Sequence, residues 1–429
     1  MSLLIQNGIV VDPTTKKEEK ADVLIQKDKI VKIASAITEE AEEVLDAKGC
    51  YVMPGFVDLH VHLREPGFEY KETIETGSRA AAHGGFTTIC AMPNTKPVID
   101  NKDRVKYVYN TAEDVSDIHV LQIGAVTKGQ AGEEVSDIAG MAQMGIVAIS
   151  EDGKSVMNTK VYVDAMKEAK AHNIPVFAHC EDQNLADGGV INAGKKAEEL
   201  GVQGISNAVE EIIMGRDIIL ARDIDVQMHF CHCSTAFTVQ LMRYVKERKD
   251  RMTAEVCPHH FTLTDEDIPG EDSNYKMNPP LRSKADVQAL KEGLRDGIID
   301  VIATDHAPHH FDDKNCKIEK AAFGIVGLET AAALTYTELV DQGWLTIMQM
   351  AEKMSYNPAQ IIHSDKGTVQ EGRIADLVIF DPNQEYEIDA SQFASMGRNT
   401  PFNGRKVKGM VMATICDGKV VYRQEKKND

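Results

Sequence analysis

Asp58-Leu-His-Val-His-Leu-Arg64 sets two imidazoles two residues apart behind an apolar run, and it constrains the chain more than any other stretch. On a β-strand, side chains alternate faces, so His60 and His62 point the same way and can grip one metal ion. Alternation groups Asp58 and Arg64 with them and sends Leu59, Val61 and Leu63 to the other face. Two histidines at this spacing often arise by chance, so the pair needs company. His179, His232 and Asp305 supply it, each at the end of another apolar run.

Eight such runs span the middle of the chain, at 52–62, 85–92, 118–126, 145–150, 174–179, 225–233, 252–257 and 299–304. Most are separated by helix-like segments such as 162–171 and 285–295. Strands alternating with helices predict a parallel (β/α)8 TIM-like barrel, with a doubly wound open sheet as the competing topology. The ends differ. Runs at 3–11, 21–26 and 30–33, and again at 376–380, 408–416 and 419–422, are short, strand-like and broken by turns such as Asp417-Gly418. Residues 1–52 and 367–429 are therefore expected to pair into a small β-sandwich domain flanking a catalytic barrel at 53–366. No internal repeat is visible.

The chain's 429 residues suffice for both parts. A formal charge of −20 argues against partners such as nucleic acid or an anionic membrane, but not against a small anionic substrate in a locally cationic pocket. Met1 to Val11 lacks the basic start and long apolar core of an export signal, and no run reaches membrane-spanning length. The eight cysteines are scattered without a CxxC pair. Cys231 and Cys233 flank His232, yet alternation turns them away from it as buried thiols. Reduced cysteines in the cytoplasm are the expectation.

Active sites of such barrels lie at the C-terminal ends of the strands. His60 and His62 end the first run, His179 the fifth, His232 the sixth and Asp305 the eighth. Buried polar groups need partners, so packing explains this coincidence poorly. Imidazole and carboxylate suit zinc, with manganese, cobalt or iron as alternatives. Five such ligands exceed one open catalytic site and predict two ions with a bridging ligand. In Ile146-Val-Ala-Ile-Ser-Glu-Asp152, inward Ala148 and Ser150 put Asp152 on the inner row and Glu151 on the outer. Asp152 is the favoured bridge.

Asp58-Leu-His-Val-His-Leu-Arg-Glu-Pro66, Ala303-Thr-Asp-His-Ala-Pro-His309 followed after four residues by Lys314, and Gly372-Arg-Ile-Ala-Asp-Leu-Val378 together resemble the dihydroorotases of the amidohydrolase superfamily. The resemblance is closest to the bacterial single-function type, and it covers nearly the whole chain. It implies His60, His62 and Asp305 on one zinc ion and His179 and His232 on a second. Many relatives bridge the ions with a carboxylated lysine, whereas here Asp152 stands at that strand end and Lys154 lies beyond it. The resemblance further implies that Arg64, Asn94 and His309, beside His62, hold a substrate carboxylate, and that Asn278 and the Phe323-Gly324 backbone hold the ring. Plainer roles exist for some: Asn94 as a helix cap, Arg64 paired with Glu65 or Glu69 at the surface. His259, His260 and His306 are expected to be structural, and His83, His119, His172 and His363 to serve no chemistry.

The implied activity is reversible cyclisation of N-carbamoyl-L-aspartate to L-dihydroorotate in pyrimidine synthesis. Metal-activated water would be the nucleophile for hydrolysis and Asp305 the general acid and base. The polar segment 310–322 is expected to be a mobile flap, with an ordinary surface loop as the alternative. A hydantoinase, dihydropyrimidinase or allantoinase would share barrel and metals but have no use for Arg64 and Asn94 as carboxylate anchors. A non-catalytic partner of aspartate transcarbamoylase would be expected to lose metal ligands. A homodimer through barrel helices, and association with that transcarbamoylase, are the expected protein partners.

Overall fold

All eight apolar runs form strands in the computed structural model, which describes residues 2–424. The strands are Phe56–Val61, Phe86–Ala91, His119–Ala125, Ala148–Ser150, Val176–Ala178, Met228–Phe230, Met252–Val256 and Val301–Ile302. Each pairs in parallel with the next in chain order. The eighth returns to the first through a parallel bridge between Val61 and His306, with the His62 amide donating to the His306 carbonyl at 2.8 Å. That contact closes a barrel and rules out the open sheet.

Outer helices begin where the chain offers a capping oxygen. Thr73, Asn101, Asn158, Thr235 and Ser283 each accept a backbone N–H from the first turn of the helix that follows. Between helices and strands lies the main core, including Phe56, Phe86, Met166, Met214 and Phe230. The barrel interior holds a second layer of Val57, Leu59, Ile123, Phe177, Cys231 and Ala303, plugged by Ile361 and Ile362. Simple alternation breaks after Leu59, since Val61 and Leu63 pack in the main core. Pairing of the first strand with the second shifts between Asp58 and Val61, and Leu59 joins Val57 in the interior layer. Asp58 instead accepts from the Thr304 amide at 3.1 Å, the Thr304 hydroxyl at 2.5 Å and the His60 amide at 3.1 Å. It thereby ties the first strand to the eighth.

The termini meet in one eight-stranded, largely antiparallel sheet. Tyr51–Pro54 pairs in parallel with Ser2–Asp12 and antiparallel with Leu377–Glu387, joining the two ends of the chain. Its buried Ile5, Val23, Ile25, Val52, Leu377 and Ile415 form a core of their own. Met1 and residues 425–429 of these terminal segments lie outside the described residues.

Asp12 links the same two ends. Its carboxylate accepts from the amide and hydroxyl of Thr15, the Thr368 hydroxyl, the Val369 amide and the Gln370 side chain. Burial opposes ionisation, but these donors outweigh it and hold the carboxyl below its usual range. A folded pKa below the unfolded one stabilises above the unfolded value and is lost as pH falls through the folded value. Asp12→Ala should therefore reduce stability by about 2 kcal/mol at pH 7. Denaturant titrations should show that deficit shrinking as the pH drops below about 4.

Candidate metal centre and active site

At the C-terminal rim of the barrel, five strand ends converge on one buried point. His60 and His62 come from the first strand, Asp152 from the fourth, His179 from the fifth, His232 from the sixth and Asp305 from the eighth. His60 lies within its strand, and the other five stand just past theirs, where the backbone is free to turn. His232 and Asp305 take left-handed φ values of 34° and 48°. All six are buried.

Asp152 stands at the centre. Its Oδ1 is 3.1 Å from His60 Nε2, 3.5 Å from His179 Nδ1 and 3.8 Å from His232 Nε2, and its Oδ2 is 3.5 Å from His62 Nε2. Glu151 turns away and accepts the amide and hydroxyl of Thr127. Asp305 Oδ1 lies 3.1 Å from His62 Nε2 and 3.5 Å from His60 Nε2. Burial disfavours the ionised form of both aspartates. The surrounding imidazoles, His60 foremost, outweigh burial and hold both below the usual carboxylate range.

Two features fit this set to metal. His60 Nε2 is buried and finds no hydrogen-bond partner. His179 Nδ1 and His232 Nε2 approach to 2.8 Å, so the two lone-pair nitrogens must share a single proton or cation. His60, His62 and Asp305 form one group of donors close enough for a common ion, and His60, Asp152 and His232 form another.

Partners behind the ligands fix their orientation. His60 Nδ1 donates to Glu255 Oε1 at 2.9 Å, which leaves Nε2 as the lone pair facing the centre. Glu255 also accepts from the His232 amide at 3.2 Å and from His229 Nε2 at 2.9 Å. It is fully buried; burial works against its charge, but His229 and His60 hold it at about 2. His179 Nε2 donates to Glu181 Oε2 at 2.9 Å, and Asn278 Nδ2 donates to the same oxygen at 3.0 Å. Asn94 is shared between two ligands, with Oδ1 2.9 Å from His62 Nδ1 and Nδ2 2.9 Å from Asp152 Oδ2.

Beside this centre, Arg64 Nε donates to the Pro308 carbonyl at 3.1 Å and Nη2 reaches within 3.4 Å of His309 Nε2. It makes no ion pair with Glu65 or Glu69; those acids bind the Ile74 and Gly67 amides. His309 Nε2 lies 2.8 Å from the Phe323 carbonyl, and Phe323 is partly exposed. Gly324 follows at φ 126°, where a Cβ would meet Ala307 Cβ at 2.6 Å. Within 310–322, one residue is anchored in the interior. Lys314, at 6% exposure, donates to the carbonyls of Lys276, Ala322 and Gly324 at 3.1, 2.9 and 3.0 Å.

Sequence reasoning overlooked Glu255, His229, Glu181 and Glu72. Glu255 carried a signal, being a lone acid in the apolar run Met252–Val256. Glu72 faces His306, whose Nε2 is 3.4 Å away, so that histidine braces the barrel seam. His260 Nε2 lies 2.9 Å from the Pro279 carbonyl, beside Asn278.

Residues 49–237 match the family described as dihydro-orotase-like. A dihydroorotase of Pelotomaculum thermopropionicum is 49% identical over 423 residues, covering 99% of both chains. The dihydroorotase of Acetivibrio thermocellus is 47% identical at the same coverage. The chain belongs to the dihydroorotase family. Among solved structures, an L-hydantoinase (dihydropyrimidinase) from Arthrobacter aurescens superposes with a TM-score of 0.87 at 26% identity, covering 99% of this chain and 96% of its own. A D-hydantoinase superposes equally, at 26% identity, with 99% and 95% covered. Barrel, terminal sheet and cyclic-amide hydrolase architecture are thus shared across these enzymes.

Glu255 gives the sharpest test of the centre. Glu255→Gln should lower affinity for a divalent metal ion by about tenfold to a hundredfold in a chelator competition, because one amide oxygen cannot serve His60, His229 and the His232 amide together and the amide NH2 would face an imidazole N–H. Unchanged affinity would show that the imidazole is held by other means.

Proposed function

We propose that this member of the dihydroorotase family interconverts N-carbamoyl-L-aspartate and L-dihydroorotate. The observation that carries the proposal is the meeting of Arg64 with His309 beside the buried imidazole–carboxylate centre. Dihydroorotate bears a ring carboxylate that a guanidinium can clamp with two parallel hydrogen bonds, whereas hydantoin and dihydrouracil bear none. Curated dihydroorotases alike over the full length support the same substrate.

The donor set suits two zinc ions, one with His60, His62 and Asp305 and one with His179 and His232, with Asp152 between them. Zinc bound there supplies Lewis acidity, which acidifies water and polarises a carbonyl. Asp305, beside His62, is placed to take a proton from the attacking water and deliver it to the ring nitrogen as the C–N bond breaks. Ring closure reverses that transfer. Arg64 and His309 orient the carboxylate, and Asn278 and the Phe323-Gly324 backbone stand by the ring, where the Gly324 amide can bind it only by releasing the Lys276 carbonyl, to which it donates at 3.0 Å. Asn94 can join them by giving up one of its two partners.

Ile212, Ile219, Phe237 and Tyr244 lie exposed on two packed outer helices, Ala208–Ile224 and Ala236–Arg248, and support a homodimer through that face. All eight cysteines are free and seven are buried, which fits a reducing cytoplasm. Among the described residues, no helix is long and apolar enough to cross a membrane.

The zinc-loaded protein should hydrolyse dihydroorotate and leave hydantoin and dihydrouracil nearly untouched. Chelation should abolish turnover and added zinc restore it. Arg64→Met should raise KM for dihydroorotate by about tenfold to a hundredfold, the worth of a charged hydrogen bond. Preference for the uncharged rings would move the enzyme to the hydantoinase branch.

A further inference from the structure

Around His309 lies one more cation. Lys71, in the loop after the first barrel strand, places Nζ 3.2 Å from His309 Nδ1 and 3.0 Å from Asp313 Oδ2. The ammonium also rests 5.8 and 5.4 Å from the ring centroids of Phe68 and Tyr70. Its side chain is only 14% exposed, so it is a held group and not a solvated surface lysine.

An ammonium has donors and no acceptor. Beside Lys71, His309 Nδ1 must therefore be the lone pair, and the ring proton sits on Nε2. From there it is donated to the Phe323 carbonyl. Arg64 Nη2, 3.4 Å from the same Nε2, then faces a donor and finds no acceptor on the imidazole. In the opposite tautomer, Nε2 would accept from Arg64 and tie up the guanidinium, while the Phe323 carbonyl lost its donor.

We infer that Lys71 is a positioning residue for substrate recognition: by fixing the His309 tautomer it keeps the Arg64 guanidinium free for the substrate carboxylate. Asp313 holds Lys71 in place from the 310–322 segment and thereby connects that segment to the carboxylate site. This inference rests on the dihydroorotase reading of the pocket. The charged groups facing His309 are Arg64 and Lys71 from one loop and Asp313 and Lys314 from the other. Burial first, then Arg64 and Lys71, push its pKa down to about 2, so the ring stays neutral at working pH.

The test compares wild type, Lys71→Met and Lys71→Arg with dihydroorotate as substrate. Lys71→Met should raise KM by about tenfold to a hundredfold, with kcat within about threefold, because the lost contact acts on binding. Lys71→Arg should recover most of that loss, since a guanidinium also only donates. An unchanged KM, or a fall in kcat alone, overturns the inference. Nitrogen-15 NMR of the wild-type histidines, with His309 assigned through His309→Gln, provides a readout independent of the lysine variants. The neutral Nε2–H tautomer is expected, and an Nδ1–H tautomer or an imidazolium at pH 7 overturns it. A wild type inert towards dihydroorotate sinks the functional reading itself, and this inference with it.

Discussion

The contact between His60 and Glu255 sets the geometry on which the active centre depends. A carboxylate with no exposure is expensive to ionise, by several kcal/mol unless hydrogen bonds and nearby positive charge compensate. Glu255 is compensated from three directions, by His60 Nδ1, the His232 amide and His229 Nε2. Each of these bonds also removes a freedom. His60 is left with only Nε2 to offer, and His232 is anchored through its backbone. One acid on the seventh strand thus determines what the first and sixth strands present. Asp58 does a similar task at the seam, where its bonds to Thr304 set the first strand against the eighth.

The same economy recurs around the rim. Glu181 orients His179 and steadies Asn278 with one oxygen, and Asn94 spans His62 and Asp152 with the two ends of one amide. No ligand relies on its own rotamer preference alone. Side chains held by such partners are oriented before any ligand arrives, which is the condition for an electrostatic site to act on a reaction and not on its own reorganisation. It also explains how the interior tolerates buried carboxylates such as Glu255 and Glu181, each of which meets more than one donor.

How much of this could be read from the chain depended on whether the deciding contact was local. Eight apolar runs gave away eight strands, because a strand buried on both faces is written as a continuous apolar segment. Strand parity separated Asp152 from Glu151 for the same local reason. It misplaced Asp58 and Leu59, since a shift in pairing with the second strand is a property of two strands and leaves no mark on one. Glu255 was legible in principle as a charge within an apolar run. Lys71 was not: Glu69-Tyr-Lys-Glu72 looks like a solvated stretch, and its partner His309 lies 238 residues away. The polar 310–322 segment suggested mobility, yet the ammonium of Lys314 is buried against three carbonyls. Charge in a sequence is not exposure in a fold.

A net charge of −20 and an anionic substrate are compatible for a related reason. At physiological salt the Debye length is about 8 Å, so an anion at the barrel mouth responds to the groups lining it and not to the distant surface. Around His309 cations gather. Arg64 and Lys71 stand at the carboxylate site, Lys276 lies over the Phe323 ring at 4.4 Å, and Lys314 sits beneath. His309 among them stays neutral because burial first, and then Arg64, Lys71 and Lys314, suppress its protonation. A charged imidazole would add attraction but could no longer accept from Lys71, and the arrangement that directs Arg64 outward would be lost. Selectivity for a carboxylate here depends on which nitrogen of one neutral ring carries the proton.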